Sequence, residues 1–383
     1  PVSDPWEQLQ KPFDTMGPNW SRQNSAASPL SFAAAYPVLT DEFALVAGFG
    51  AAKAVDLDYY YQNNNVTDPL LGRYRPAPIP ELQPTDTLRA RWYRSIISRD
   101  GEIWRFTPAV GFSYGMLSGG ASVTYFTGSS DDMESRLDRG FLTFLYNRFR
   151  VQDTVRYSSA STGTSDYTGM QVTLGFRIAQ PTYTIGASFI LPYTMTREYT
   201  STFSSREEVV LVSKKYNPSR TEDSVRTTVV KTTVSGKEEV SYPMAYTIGV
   251  MLRPFERWTI AFDIESRRLS LAEVKQGTAP AVKPWLSSPS FSLGAEYAER
   301  NWPAVRFGYF ETAQVFEPEG AAIVGDPVMR SGYTLGLGIT EDIISIDIAY
   351  EYSLLQYKDV WQSNINNNGT YRHRAAVDVS VRL

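Results

Sequence analysis

The residues of this 383-residue chain that could do chemistry are one histidine, no cysteine, and acids and bases set singly between apolar neighbours. A hydrolytic site needs an imidazole base held by an acid beside a nucleophile. No spacing in the chain sets a serine beside His373, so the sequence gives catalysis no support and implies no cofactor. Without cysteine there is no disulfide framework and no Cys-ligated metal site. No metal-ligand spacing appears, and Gly48/Gly50 and Gly336/Gly338 sit inside strand patterns rather than in a phosphate cradle. A net charge of −4 gives no basic footprint for nucleic acid. The charges left to explain are Arg177, Asp263, Glu265, Glu296, Arg306, Asp347 and Glu351. Acids outnumber bases, and enclosed charges need partners. Arg177 and Arg306 are therefore expected to pair with Glu296, Asp347 or Glu351. The set reads either as a charge network filling a polar interior or as a path for a substrate.

The elements that carry these charges have a period of two. Tyr333, Leu335, Leu337 and Ile339 alternate with Thr334, Gly336 and Gly338. After Thr340-Glu341-Asp342 the pattern resumes, with Ile344, Ile346, Ile348, Tyr350 and Tyr352 set between Ser345, Asp347, Ala349 and Glu351. Such alternation means strands with one apolar and one polar face. Each pattern runs past the roughly 9–11 residues that a tilted strand needs to cross a bilayer. The same parity puts Thr173, Gly175, Arg177, Gly186, Ser188, Gly249, Asp263, Glu296 and Arg306 inside. It puts Leu174, Phe176, Ile185, Ile248, Phe262, Leu293 and Phe307 outside, and His373 on the outward parity. No apolar run of about 18 residues offers a transmembrane helix, whereas a closed sheet is the other way to satisfy backbone groups in lipid. The chain has 24 Tyr, a residue concentrated at membrane–water interfaces.

Residues 1–28 read as loop and 29–383 as a barrel. Tight turns are expected at 39–42, 117–120, 179–181, 254–257, 299–302 and 340–342. Long polar connections are expected at 61–100, 129–163, 201–239, 273–286, 317–327 and 359–368. Short turns on one side and long loops on the other mark outer-membrane barrels. Six hairpins and the closing strand Thr370–Leu383 make thirteen strands. Since such barrels have even counts, fourteen are expected, with a first strand ahead of Pro1. Within 129–163, Asp131, Asp132 and Glu134 suit a helix start. Leu137, Phe141, Phe144, Leu145 and Phe149 then recur at three- and four-residue spacing. A helical loop with an apolar face is expected there, with a strand over 141–157 as the alternative. Phe141, Leu142, Phe144, Leu145 and Phe149 would catch a hydrophobic ligand or pack into the barrel mouth.

The segments PLSFAAAYPVLTDEFALVAGFG (29–50), IWRFTPAVGFSY (103–114), FSLGAEYAERNWPAVRFGYF (291–310) and SGYTLGLGITEDIISIDIAYEY (331–352) resemble FadL-type outer-membrane transporters of fatty acids and aromatic hydrocarbons. The resemblance implies a fourteen-stranded barrel in the outer membrane of a Gram-negative bacterium, surrounded by lipid and lipopolysaccharide. It implies passive uptake of a hydrophobic molecule, with such a ligand or a detergent in the lumen or groove. It further implies a helical loop at 129–163 and a kinked, laterally open strand at Phe43–Tyr60, with Gly48 and Gly50 at the kink. The family's N-terminal plug and its Asn-Pro-Ala signature are not found. FadL-like barrels also act as shuttle partners in type IX secretion. That implies an alternative scaffold role, with protein partners on the loops 61–100 and 201–239.

Overall fold

In this computed structural model the described residues are 20–23, 31–40, 43–69, 89–145, 148–152, 155–212, 219, 221–222, 224–299, 302–313, 322–323, 328–341, 344–361 and 364–381. They form twenty strands that fall into thirteen antiparallel runs. The first run is β1 (Trp20–Gln23) with β2 (Ser31–Thr40), and the second is β3 (Phe43–Asp56) with β4 (Tyr59–Pro69). β5 (Arg89–Tyr114) and β6 (Leu117–Leu145) follow singly. The next four runs each comprise two pieces. They are β7 (Arg148–Gln152) with β8 (Val155–Ala179), β9 (Tyr183–Ile190) with β10 (Tyr193–Val212), β11 (Ser224–Tyr242) with β12 (Ala245–Phe255), and β13 (Trp258–Arg267) with β14 (Glu273–Gln276). β15 (Ser290–Tyr297) and β16 (Ala304–Ala313) continue the wall, and the short β17 (Ala322–Ile323) pairs with a later strand. β18 (Met329–Glu341), β19 (Ile344–Trp361) and β20 (Asn364–Val381) complete it. Each run pairs with the next in the chain, from β2–β3 to β19–β20. Among the described residues no pairing joins β2 to β20.

Sidedness follows from the alternation. Leu335, Leu337 and Ile339 are about half exposed, as are Ile348 and Phe307, and Val377 is 67% exposed. By contrast Ile103, Ala245, Ala272 and Val328 are the only buried hydrophobic residues among the described ones, and they are scattered. A water-soluble sandwich would bring the large apolar side chains together in a dry centre, whereas here they face outward. An apolar face of this extent marks a membrane surface. Aromatic pairs border it. Trp258–Tyr297 (ring centroids 5.3 Å apart) and Phe43–Phe112 (6.1 Å) lie by the tight turns. Phe291–Tyr309 (5.9 Å) and Tyr309–Tyr333 (5.2 Å) lie farther up. Two such girdles bracket the lipid-facing band of an outer-membrane barrel.

The tight turns expected at 179–181 and 254–257 are in place, while the turn residues 41–42, 300–301 and 342–343 lie outside the described residues. The third run turns at Gly115-Met116, not at 117–120. Gly115 takes φ +55, the left-handed conformation that a two-residue hairpin needs. Gly119 and Gly120 lie within β6, and a Cβ on Gly120 would sit 2.8 Å from the Val110 carbonyl oxygen. The larger difference is at the other end. The helix expected within 129–163 is replaced by strand: β6 runs unbroken to Leu145, and its residues 125–137 pair on both sides. Two neighbouring ladders satisfy every backbone group there, which outweighs the weak helical preference of an isolated segment. Much of 61–100 and 201–239 is likewise strand rather than loop, in β4, β5, β10 and β11. Within the expected leading loop, Trp20–Gln23 pairs with Tyr60–Asn63.

Three adjacent runs are interrupted at one height. Leu191-Pro192 separates β9 from β10, Pro243-Met244 separates β11 from β12, and a 3-10 turn at Leu269–Leu271 precedes β14. Proline cannot donate to a ladder, so these two prolines remove neighbouring rungs.

The lipid-facing assignment has a direct consequence. Leu335→Arg should cost about 2–4 kcal/mol of stability in lipid, the usual figure for Arg on a barrel's outer face. Its neighbour Thr334→Arg, on the inner face, should cost far less. Urea unfolding in lipid vesicles measures the difference.

Candidate functional site in the lumen

The inner face is organised in three levels. Nearest the tight turns, one register row crosses five runs: Ser118 on β6, Arg177 on β8, Gly186 on β9, Gly249 on β12 and Asp263 on β13. Gly120, Gly175, Ser122, Thr173, Ser188 and Thr247 lie in adjoining rows. These small side chains leave a cavity of about 710 Å3, in which Arg177 and Asp263 are the only charged lining residues. Contrary to the pairing expected with Glu296, Asp347 or Glu351, Arg177 makes no ion pair with any described residue. Those acids stand on β15 and β19, while Arg177 is on β8 opposite Gly186. Asp263 likewise makes none. Asp263 leans across the next strand, since a Cβ on Gly249 would sit 2.2 Å from its Oδ1. Gly175 faces open space.

Arg306 behaves as the charge pattern requires. Its Nε donates to Glu296 Oε2 at 2.7 Å, and its Nη1 bonds to Asp347 Oδ1. The second contact reaches from β16 over β18 to β19. Gly338 makes the crossing possible, because a Cβ there would lie 2.9 Å from Arg306 Nη1. These groups are a third or more exposed, so each pair is worth about 0–1 kcal/mol. Glu351 meets Arg374 at 4.0 Å, and Glu265 pairs with Arg267.

Above the cavity stands an aromatic bar. Phe126, Tyr193, Tyr242 and Trp285 stack in sequence, with centroids 6.4, 4.8 and 5.9 Å apart and planes within 22°. Gly169 lies opposite both Phe126 and Met195 in the register. A Cβ there would strike Met195 Sδ at 2.2 Å. The rings spend their faces on one another, so the bar presents ring edges to the lumen.

Higher still is a charged node around Asp132. Arg99 Nε donates to its Oδ1 at 2.6 Å, and Arg197 Nη2 donates to its Oδ2 at 2.8 Å. The Ser165 hydroxyl donates to Oδ2 at 2.5 Å while accepting from Arg197 Nε at 3.0 Å. Ser130 adds a bond to Oδ1 at 3.1 Å. Ser165 is fully buried and Ser130 nearly so. The node ties β5, β6, β8 and β10 together and lines a second cavity of about 690 Å3. Asp132 lies fifteen residues past Leu117. At about 3.3 Å per residue and a 40° tilt that is roughly 38 Å, above the ~25 Å apolar band. Burial pushes the Asp132 carboxyl up, but the Ser165, Arg99 and Arg197 contacts outweigh it and hold the group below the usual carboxylate range.

The other sequence candidates are not part of this assembly. Phe141, Leu142, Phe144 and Leu145 are on β6 and Phe149 on β7, and their side chains lie outside the described residues. Gly48 and Gly50 are on β3, opposite Ala35 and Ala33 of β2 and Ala109 and Thr107 of β5. Both ladders keep register through them. The ladder to β5 shifts at Lys53/Val55 and the ladder to β2 at Pro37/Leu39. His373 Nδ1 bonds the Tyr350 hydroxyl at 2.6 Å, and its ring packs on Tyr352 at 5.2 Å. The aromatic bar and the Asp132 node were missed. Asp132 reads as a helix cap and Arg99 as loop until the strand parity is carried past the membrane.

An antiparallel wall with one apolar and one polar face is the arrangement that outer-membrane β-barrels use. No protein-family model matches the chain, and no curated protein matches it. Among solved structures it is similar to the CymD monoaromatic hydrocarbon channel, with a TM-score of 0.44 and 12% identity over 92% of this chain and 86% of that one. It is also similar to a FadL homologue of Pseudomonas aeruginosa (TM-score 0.44, 13% identity, 88% and 77% covered). A third is the Pseudomonas putida toluene transporter TodX (TM-score 0.42, 13% identity, 92% and 87% covered).

Replacing Asp132 by Asn would leave two guanidiniums without their anion. It should cost about 1.5–3 kcal/mol, the scale of hydrogen bonds to charged groups. A carboxyl whose folded pKa is depressed gives its full stabilisation above its unfolded value of about 3.9. That stabilisation is lost as pH falls through the lowered folded value. Unfolding scans should therefore show wild type and Asp132→Asn well separated at neutral pH and converging below about pH 4.

Proposed function

We propose that this chain is a channel in the outer membrane of a Gram-negative bacterium. It passes small hydrophobic molecules of the fatty-acid or hydrocarbon class down their gradient. The observation that carries this reading is the small-residue cavity beside the Gly175–Gly186–Gly249 wall, lying below the aromatic bar. Ala, Gly, Val and Met supply much of its lining, so water gains little by staying there.

The magnitudes suit transit rather than capture. A single-ring solute that removes about 120 Å2 of apolar surface from water gains about 3 kcal/mol at 25 cal/mol per Å2. That corresponds to a dissociation constant of several millimolar, by the usual relation of roughly 4 kcal/mol to 1 mM. Such a solute enters readily and leaves readily. Ring edges from the aromatic bar give it a second weak contact on the way.

Filling the cavity is the test. Gly175→Phe projects a ring into open space without striking the backbone. Proteoliposomes carrying the variant should take up a single-ring hydrocarbon about tenfold more slowly than wild type, a barrier rise of about 1.4 kcal/mol. Unchanged hydrocarbon flux, or a wild type that passes large polar solutes equally well in conductance recordings, would overturn the reading in favour of a nonspecific pore.

A further inference from the structure

The hairpin of β10 and β11 rises beyond the run that follows it, β13 with β14. β11 pairs with β10 along its whole length, but on its other side only Glu238–Ser241 is covered, by β14. One more bond, from Gly277 N to Lys237 O at 2.8 Å, ends that contact. From Ser224 to Gly236 the second edge of β11 has no partner strand among the described residues. Ser235 lies twenty residues from the tight turn after Phe255. That is roughly 50 Å along a tilted barrel strand, well above the apolar band.

The Gly277 bond also fixes which residues face the open side. In an antiparallel strand, N–H and C=O of one residue point the same way, and successive residues alternate. Since Lys237 presents its carbonyl to that side, so do Val225, Thr227, Val229, Lys231, Thr233 and Ser235. These six residues hold a row of donors and acceptors spaced for another strand. Soluble proteins keep such edges short or covered. Here the edge is long and rich in Val and Thr, with Val229 66% exposed.

Charge decides what fits it. Between Ser224 and Gly236 there are two cations, Arg226 and Lys231, and no acid. Neither cation has an ion pair among the described residues. A second copy of the same strand would bring two cationic strips together, and like charges across a ladder destabilise it. Arg226 and Lys231 are five residues apart and so lie on opposite faces of the sheet, and a strand with acids on both faces would neutralise both.

We infer that the open edge of β11 from Val225 to Ser235 docks an extended, acidic polypeptide segment, which joins the sheet as a further strand. Backbone bonding supplies affinity and the two cations supply selection, the usual division of labour in strand addition. The site is independent of the lumen and needs no solute to pass.

The full chain in detergent micelles can be titrated with two fluorescent peptides of Thr and Val, one carrying Glu on both faces of the extended strand and one carrying Lys at the same positions. The Glu peptide should bind, and the Lys peptide about tenfold more weakly or not at all, a difference of about 1.4 kcal/mol. Val229→Pro with Thr233→Pro deletes two donors from the open side and leaves the bonds to β10 intact, as edge positions allow. That variant should lose most of the binding. Arg226→Glu with Lys231→Glu needs no backbone change and should reverse the preference towards the Lys peptide. Equal binding of both peptides, binding that survives both double variants, no binding at all, or concentration-dependent dimerisation of the chain would overturn the inference.

Discussion

Everything in this molecule depends on backbone hydrogen bonds that have no substitute. In the apolar band neither lipid nor side chain can replace a lost N–H···O=C rung, and an unmet group costs several kcal/mol. Each run must therefore lie beside the next, antiparallel and in register, and so it does from β2 to β20. Once the ladder is fixed, side chains have only two destinations. Residues of one parity meet lipid and those of the other meet the lumen. The lack of a packed core is a consequence of this geometry and not a defect in it.

The lumen shows what a wall of this kind can do with its inner parity. Glycine serves there less for flexibility than for clearance. Gly338 lets the Arg306 guanidinium cross a whole strand to reach Asp347, and Gly169 leaves room for the Met195 thioether. Charged groups near the tight turns remain partly hydrated and contribute little to stability. Asp132, beside fully buried Ser165, contributes more because its neighbours exclude water. The same pairing chemistry has different weight at different heights.

Much of this was legible in the alternation alone. The inward set from Thr173 to Glu351, the outward set from Leu174 to Phe307, and the partners of Arg306 all follow from period two and the need to neutralise enclosed charge. The misreadings share one cause. Leu137, Phe141, Phe144 and Leu145 happen to fall at helical spacing, and a local pattern cannot reveal that β5 and β8 stand on either side of β6. For the same reason Arg99, Ser165 and Arg197 carry no sign of common purpose, since 32 to 98 positions of chain separate them from one another. Only the stagger of the ladder brings them to Asp132. Trp285 is harder still, because it comes from outside the strands and no periodicity points to it.

Pro192 and Pro243 sit next to one another in neighbouring runs, at the level where the wall leaves the lipid. Deleting rungs there divides the sixth and seventh runs into a lower part that the bilayer holds and an upper hairpin that it does not. The two parts can therefore melt as separate cooperative units, and the upper one should fray first. A molecule built in this way tolerates damage to that upper hairpin without losing the wall below it.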